Sequence, residues 1–282
     1  ERNVVLPEIA EVETVRNTLK KRILGKKIKK VDVYYEPMLL DNKEYFCSSL
    51  LNQSFIDIKR RGKWLLFETE KYFLLSHLRM EGKYFLKNST EPIEKHEHVI
   101  ITFEDNTTLR YHDTRKFGRM KLVLKDKVNE FEGIKKQGIE PMDEALTKEY
   151  LYEKFHKHNL PIKTLLLDQT IISGLGNIYA NEVLFAARIS PFKKGSEITL
   201  EECEEIKNKA NYIIKAAIEM GGTTIRSYTS SLGVTGRFQQ CLMVHKMAKQ
   251  PCKICGTPIK VSFIGGRSTY YCETCQKVVE TP

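Results

Sequence analysis

The sequence predicts an α+β chain of several domains: an amphipathic N-terminal helix, a set of β-strands, a helical region and a terminal cysteine-bearing ribbon. Two changes of hydrophobic period and one cysteine pattern predict this order. Apolar residues recur first at helical spacing, then in short alternating runs, and then at helical spacing again. At 282 residues the chain is long enough for two hydrophobic cores besides the ribbon.

One amphipathic helix opens the chain. It is predicted to begin at Pro7, which suits a first helical turn, and to reach about Lys27, with Gly25 as a stop signal. Four short apolar or alternating runs follow and predict strands at 63–67, 72–75, 99–103 and 108–111. Strands of this kind close naturally into a β-sandwich or a barrel, and the pattern leaves both open.

The second half of the sequence is predicted to be helical. Its clearest helix follows Thr199, which forms a capping-box pattern with Glu202. The apolar stripe of this helix includes Cys203, which is therefore expected in a core and away from any metal. Between the two halves, charged residues, two glycines and a proline predict a linker.

Four cysteines near the end of the chain have the spacing of a zinc site. They form two pairs, Cys252-Lys-Ile-Cys255 and Cys272-Glu-Thr-Cys275. Two such pairs fill the four positions of a closed tetrahedral site, which stabilises structure and leaves no open position for catalysis. The alternative is a pair of disulfides, but the sequence has no secretory segment and is expected in a reducing cytosol. Cys47 and Cys241 lie outside the pattern, and packing roles are expected for both.

The charge balance indicates a polyanionic partner. Lys and Arg number 46 against 36 for Asp and Glu, which gives a net charge of +10 and a pI near 9.1. Nucleic acid is the first candidate, although a generally basic surface would give the same balance. The sequence has no apolar run of about eighteen residues, so no membrane segment is expected and the chain is predicted to be soluble and cytoplasmic.

Six motifs, taken in order along the chain, resemble the formamidopyrimidine-DNA glycosylase family of bacterial base-excision enzymes. The motifs are Pro7-Glu8-x-x-Glu11-Val-Glu-Thr-Val, Arg61-Gly-Lys63, His77-Leu-Arg-Met80-x-Gly82, Asp113-Thr-Arg115-Lys-Phe117-Gly118, Gly174-Leu-Gly-Asn177-Ile-Tyr-x-Asn-Glu182 and Gly266-Arg267-Ser-Thr-Tyr-Tyr-Cys272-x-x-Cys275-Gln276. Any one of them could arise by chance, but all six in this order, ending on the cysteine ribbon, could hardly do so.

The resemblance implies a set of catalytic residues. The family uses the secondary amine of an N-terminal proline to attack C1′ of the damaged nucleoside, and Pro7 matches that nucleophile. Glu8 would protonate the opening sugar, and Lys63 would act as a second acid/base and phosphate contact during β-elimination. Arg267 would bind phosphate and assist the second elimination. Glu11 would have a positioning role.

One departure from the family concerns the nucleophile itself. Six residues, ending in Leu6, precede Pro7, so its nitrogen is a tertiary amide without a basic lone pair. Processing could expose Pro7, the recorded start could be wrong, or the protein could be a non-catalytic relative. The favoured hypothesis is a wrong start, with Leu6 encoded by an initiating TTG codon.

The resemblance also implies how DNA is held after base extrusion, which leaves a hole in the duplex. Met80, Arg115 and Phe117 match the family's void-filling trio: Phe117 would wedge between bases, and Arg115 would face the orphaned partner. On sequence alone, core packing is the simpler role for Met80. His96 is a candidate phosphate contact, with His98 a weaker one.

In the second half, the segment 165–191 resembles the family's helix-two-turn-helix. Gly174 and Gly176 would let the backbone approach a phosphate, which Asn177 would hydrogen-bond, and Lys163 would add a cation. A plain helical hairpin would give the same local pattern. The segment 223–238 resembles the loop that closes on the extruded base.

Taken together, these features predict a β-sandwich catalytic domain at 7–131, a linker at 132–149, a helix-two-turn-helix domain with the lesion-capping loop at 150–240 and a zinc ribbon at 241–282. The resemblance implies a glycosylase/AP lyase for 8-oxoguanine and formamidopyrimidines, with the active site in a cleft between the two halves. One structural Zn²⁺ is expected in the ribbon. The expected partner is duplex DNA with a damaged base, the expected state is a monomer, and no membrane is involved. The rivals are the oxidised-pyrimidine branch (endonuclease VIII), a DNA-binding relative without turnover and a zinc-ribbon RNA-binding protein.

Overall fold

The computed structural model describes residues 7–221 and 238–277. They form two units: residues 7–135 together with Gly221, and residues 136–220 together with 238–277. The helices are α1 (Ile9–Ile23), α2 (Lys43–Leu50), α3 (Glu132–Lys135), α4 (Lys148–His156), α5 (Ile162–Leu166), α6 (Asn177–Ala186) and α7 (Leu200–Glu219). Within these ranges, no helix combines the length and apolar character needed to cross a membrane.

Eight strands of the first unit form two antiparallel four-stranded sheets, ordered β1-β6-β7-β5 and β2-β3-β4-β8. The strands are β1 (Ile28–Val33), β2 (Asp57–Arg61), β3 (Trp64–Glu68), β4 (Tyr72–His77), β5 (Lys83–Asn88), β6 (Glu97–Phe103), β7 (Thr107–His112) and β8 (Arg119–Leu124). One core joins the sheets: the rings of Phe67 on β3 and Tyr84 on β5 lie 5.5 Å apart. The sandwich is therefore confirmed, and the barrel is not formed.

The first helix is shorter than predicted. Its apolar stripe, which ends at Ile23, is buried in the sandwich core as expected. The chain leaves the helix at Leu24, which is extended, and Gly25 takes a φ of +79° that a side chain would disfavour. The Gly25 amide donates to the Phe55 carbonyl at 2.9 Å, so the residues predicted as the last helical turn instead lead into β1.

Four of the eight strands, β1, β2, β5 and β8, are absent from the sequence prediction. Each carries polar or charged residues at exposed or half-buried positions, such as Lys29 and Lys30 on β1, which interrupt the apolar runs used to predict strands. Pairing with a neighbour of clear alternation supplies the order that the local sequence does not indicate.

The second unit is helical, as predicted, and its longest helix is α7. Thr199 Oγ1 accepts from the Glu202 amide at 3.1 Å, and the Glu202 carboxylate accepts from the Thr199 amide at 3.0 Å. Cys203 is buried on the inner face of this helix. The unit ends in an antiparallel hairpin of β9 (Lys260–Ile264) and β10 (Arg267–Tyr271), which belongs to the cysteine ribbon.

The stretch 132–149 contains helix α3 and buried apolar side chains that include Ile134 and Leu146. Ile134 packs with Trp64 of the first unit's sheet, while Leu146 belongs to the second unit. The predicted limits of the domains and of this linker remain predictions.

Candidate active site and zinc centre

The start of α1 carries the predicted nucleophile and acid. Pro7 is half-buried, and Glu8, which precedes the first helical residue, is only 1% exposed. The Glu8 amide donates to Glu11 Oε2 at 3.1 Å, which fixes the backbone at this helix end. Glu11 therefore has a structural contact of the kind expected for a positioning residue.

Lys63 lies in the tight turn between β2 and β3, rather than on a strand as predicted. Arg61 and Trp64 close the turn as its paired flanking residues, and Gly62 adopts a φ of +58°. This left-handed conformation is the one that two-residue hairpin turns require and that glycine adopts without strain. Helix α1 packs against both strands, so the turn belongs to the same rigid unit as Glu8.

Two loops of the first unit bring the predicted void-filling trio together. Arg115 Nη1 lies 3.6 Å from the sulfur of Met80, and its guanidinium lies 5.5 Å from the centre of the Phe117 ring. Phe117 is 48% exposed, and Met80 is half-buried rather than part of the core. An exposed aromatic ring beside a guanidinium is suited to stacking on bases.

Asp113 shapes the loop that carries Arg115 and Phe117. Its carboxylate accepts from the amides of Arg115 and Lys116 at 3.0 Å, and from the Gly118 amide and the Tyr111 hydroxyl at 2.9 Å. A Cβ at Gly118 would lie 1.6 Å from the Tyr111 hydroxyl oxygen, so no larger residue fits there. The Asp-x-Arg-x-Phe-Gly motif thus has a structural basis at both ends.

His96 and His98 differ in their surroundings. His98 is buried, and its Nε2 donates to the Asp113 carbonyl at 2.7 Å, so it supports the same loop. His96 is half-buried with a φ of +78°, and its carbonyl accepts from the Asp113 amide at 3.0 Å. The predicted phosphate contacts of both histidines remain predictions.

The loop leading to His96 is held from beneath by a buried arginine that the sequence analysis did not single out. Arg110 donates to Thr108 Oγ1 and Glu97 Oε2, both at 2.9 Å, and also to three backbone carbonyls. These carbonyls, at 2.9 to 3.0 Å, belong to Asn88, Glu91 and Pro92. All five N–H groups of the guanidinium are therefore used, and its charge is balanced by a carboxylate.

In the second unit, two predicted DNA contacts hydrogen-bond to strand β10, which begins at Arg267. Lys163 is fully buried, and its Nζ donates to Thr269 Oγ1 at 3.0 Å. The Asn177 side-chain amide, at the first residue of α6, donates to the Ser268 carbonyl at 2.9 Å. Arg267 itself is exposed in the hairpin. Lys163 therefore lies beneath the ribbon hairpin and hydrogen-bonds to it. Its predicted phosphate contact remains a prediction.

The four paired cysteines converge on one point. Their sulfurs all lie within 4.8 Å of one another, and this group is the metal-compatible cluster found in the described ranges. The Cys252–Cys275 and Cys255–Cys272 sulfurs are 3.9 and 3.5 Å apart, too far for disulfide bonds and close to the edges of a tetrahedron with Zn–S bonds of about 2.3 Å. Backbone amides of Ile254 and Cys275 point to sulfurs at 3.4 Å, as in zinc knuckles. One structural Zn²⁺ fits this site.

A buried carboxylate attaches the ribbon to α6. Glu182 accepts from the amides of Met243, Val244 and His245 at 2.9 to 3.1 Å. Burial raises the pKa of this carboxyl, although the three amides oppose the shift. Glu182 is the last residue of the quoted glycine-rich motif, but no role could be assigned to it from the sequence.

Three successive parts of the chain match models of known protein families. Residues 6–120 match the formamidopyrimidine-DNA glycosylase N-terminal domain, and residues 137–229 match the H2TH domain of the same enzyme. Residues 249–278 match a zinc finger found in FPG and IleRS. A formamidopyrimidine-DNA glycosylase of Ligilactobacillus salivarius is 43% identical over 97% of this chain and 99% of its own. The chain belongs to the formamidopyrimidine-DNA glycosylase family.

Other family members agree with this assignment. A formamidopyrimidine-DNA glycosylase of Bacillus cereus is 44% identical over 96% of this chain and 99% of its own. The Fpg of Lactococcus lactis in complex with abasic-site DNA is similar in structure, with a TM-score of 0.91 and 40% identity over 96% of this chain and 100% of that one. A Lactococcus lactis variant bound to Fapy-dG-containing DNA gives a TM-score of 0.92 at 40% identity and the same coverage. The predicted family, fold and DNA glycosylase class are confirmed.

Proposed function

We propose that this family member excises oxidised purines, 8-oxoguanine and formamidopyrimidines, from duplex DNA and then cleaves the strand by β- and δ-elimination. The observation that carries the proposal is similarity over almost the whole chain to glycosylases whose solved complexes contain abasic-site and Fapy-dG DNA. The net charge of +10 supports a polyanionic partner. The domain limits predicted from the sequence are part of this proposal.

The reaction begins at Pro7. Its secondary amine attacks C1′, the bond from C1′ to the base breaks, and the base leaves with the electron pair and takes up a proton while the proline nitrogen gives up its own. Glu8 protonates the sugar ring oxygen as the ring opens, which leaves a C1′ iminium on the proline nitrogen. Glu8 is buried at the start of α1, directly after the proposed nucleophile in the chain. Lys63 then acts as acid/base in the β-elimination, and Arg267 binds phosphate and assists the δ-elimination.

This chemistry requires a free amine at Pro7. In the printed sequence Leu6 precedes Pro7, and an amide nitrogen cannot form the iminium. The active form is therefore one in which Pro7 is the first residue, through processing or through a different start. An α-amino group has a pKa of about 7.7 to 8.0, well below that of a lysine amine, so a larger fraction of it is unprotonated and nucleophilic near neutral pH.

DNA binding is assigned to exposed and half-buried groups of both units. Phe117, Arg115 and Met80 fill the space that the extruded nucleotide leaves, and His96 contacts phosphate. Asn177, at the N-terminus of α6, binds phosphate with the backbone of its glycine turn. The predicted lesion-closing loop at 223–238 lies outside the described residues except for Phe238.

The test is borohydride trapping on a duplex that carries 8-oxoguanine opposite cytosine. Protein beginning at Pro7 is compared with protein beginning at Glu1. A covalent adduct with the Pro7 form alone is expected, because only that form has a secondary amine. Adduct with neither form, while duplex binding is intact, would refute turnover and favour a non-catalytic relative.

A second duplex distinguishes the oxidised-purine activity from the oxidised-pyrimidine activity. An oxidised pyrimidine is placed where the first duplex has 8-oxoguanine, and the rates of adduct formation are compared under single-turnover conditions. Faster trapping on the purine lesion is expected. Faster trapping on the pyrimidine lesion would assign the protein to the endonuclease VIII type of activity.

A further inference from the structure

The proposed catalytic groups of the first unit lie on two separate elements, and a buried ion cluster connects these elements. Glu13 lies on α1, the helix that Pro7 and Glu8 precede, and is only 9% exposed. Its Oε2 accepts from Arg60 Nε at 2.5 Å. Arg60 lies on β2, one residue before the end of the strand.

The same arginine reaches the turn that carries Lys63. Arg60 Nη1 donates to the carbonyl of Gly62 at 3.0 Å. The Gly62 carbonyl belongs to the peptide bond that joins Gly62 to Lys63, so this hydrogen bond fixes the peptide plane directly before the lysine. One planar guanidinium thus holds a carboxylate of α1 and the backbone of the turn at once.

A second arginine on the same carboxylate lacks the connection to the turn. Arg16 donates to Glu13 Oε1 and, through Nη1, to the Ile58 carbonyl at 3.0 Å. It joins α1 to the middle of β2. The two arginines therefore share one partner and differ in the backbone group that they reach.

We propose that Glu13 and Arg60 are positioning residues that set Lys63 relative to Pro7 and Glu8. The inference rests on the proposed function, in which Lys63 acts on the nucleotide that Pro7 attacks. Placement of this kind matters because a misplacement of about 1 Å can reduce a rate by about a hundredfold. A simple ion pair between helix and sheet would stabilise the unit without affecting the reaction in this way.

Matched substitutions separate positioning from stability. Arg60→Met and Arg16→Met each remove one guanidinium from Glu13, but only Arg60→Met also releases the Gly62 carbonyl. Both variants, made in protein beginning at Pro7, should show similarly lowered midpoints of urea unfolding. Only Arg60→Met should slow single-turnover strand cleavage by β-elimination at saturating duplex, by about ten- to a hundredfold, because this is the step that Lys63 serves. Arg60→Lys, which keeps the charge but cannot span both partners, is expected to fold and to show most of the same loss.

A double-mutant cycle with Lys63→Met tests whether Arg60 acts through the lysine. In the Lys63→Met background, Arg60→Met should slow the residual strand cleavage by less than about twofold, because the group that it positions is gone. An undiminished Arg60 effect in that background would overturn the inference, as would equal rate losses for Arg60→Met and Arg16→Met. Failure of the unsubstituted Pro7 form to give an adduct would instead overturn the proposed function, and the inference with it.

Discussion

The β-sandwich and the zinc ribbon are stabilised in different ways. The sandwich encloses a large core of apolar side chains from α1, α2 and both sheets. The ribbon has a small cluster in which Phe185 of α6 packs with Val244 and Ile259, and two members, Cys252 and Cys272, are also metal ligands. Burial of apolar side chains can stabilise the sandwich by itself, whereas the ribbon depends on zinc and on polar contacts with α6.

The largest effect is expected from removing a zinc ligand. Cys255→Ser should prevent closure of the metal site and unfold the ribbon, since zinc binding in such small units supplies about 10 kcal/mol or more of folding free energy. Zinc content should fall to near zero and duplex affinity should fall with it, while the sandwich stays folded. Cys241→Ser, at an exposed cysteine outside the cluster, should change neither quantity. Full zinc content in the Cys255→Ser protein would contradict the assignment of the ligands.

A core substitution in the sandwich should destabilise the sandwich and leave the zinc site intact. Phe55 is fully buried, with its ring centre 5.4 Å from Phe67 and 6.1 Å from Phe103. Phe55→Ala should lower the free energy of unfolding of the first unit by about 3 to 5 kcal/mol, because it removes a large apolar group and leaves a cavity. Urea unfolding measures the loss, and zinc content should be unchanged.

The control for this prediction is Phe263 in the ribbon hairpin, which is 74% exposed. Phe263→Ala should change the free energy of unfolding by less than about 0.5 kcal/mol, as for most surface substitutions. Loss of zinc from the Phe55→Ala protein would mean that the ribbon depends on the sandwich core.

A smaller effect is expected where the ribbon joins α6. Glu182→Gln replaces a carboxylate with a neutral group in which one oxygen becomes an NH₂ that cannot accept; Oε2 accepts from the Met243 amide, and Oε1 accepts from the Val244 and His245 amides. We expect the ribbon to lose about 1 to 3 kcal/mol of stability. The measurement is the rate of zinc release to a chelator, which should increase. Glu205→Gln, at an exposed position of α7, should release zinc at the original rate.

The comparison also shows which parts of the molecule the sequence can predict. The cysteine pairs identify the zinc site without any structure, because the spacing of metal ligands is a local property. The order of helix, strands and helices was also predicted, since long periodic segments are the clearest signals. Strands β1 and β5, by contrast, owe their order to the neighbours with which they pair, which single-sequence patterns do not contain.

Residues whose roles depend on distant contacts were the hardest to predict. Arg110 reads as an ordinary strand residue, yet it uses five N–H groups on partners from three segments. Lys163 reads as a surface cation beside a glycine turn, yet it is fully buried beneath the strand that contains Thr269. Glu182 was visible in a motif, but its amide partners lie about sixty residues further along the chain. Burial and long-range hydrogen bonding are set by tertiary structure, so the local sequence indicates the residue but not its role.

The smallest predicted effect concerns pH and the same junction between α6 and the ribbon. His245 is buried, its Nδ1 lies 3.0 Å from the Asn181 side-chain amide, and its ring centre lies 5.2 Å from that of Tyr270. Burial, with smaller contributions from Lys246 and Lys163, lowers the pKa of His245 to about 4 from the usual 6.5. Between these values the unfolded chain binds a proton that the folded protein does not.

The contribution of His245 to stability is therefore fully present above pH 6.5 and is lost as the pH falls toward 4, by at most about 1.4 kcal/mol per pH unit. The measurement is urea unfolding of the second unit at pH 7 and pH 5.5, with zinc in excess, for the unsubstituted protein and for His245→Gln. The variant cannot take up this proton, so its stability should depend less on pH, and the difference isolates His245 from the zinc ligands. An identical pH dependence in both proteins would mean that the buried ring accepts a proton as readily in the folded ribbon as in the unfolded chain, and that the junction is more open to water than its burial indicates.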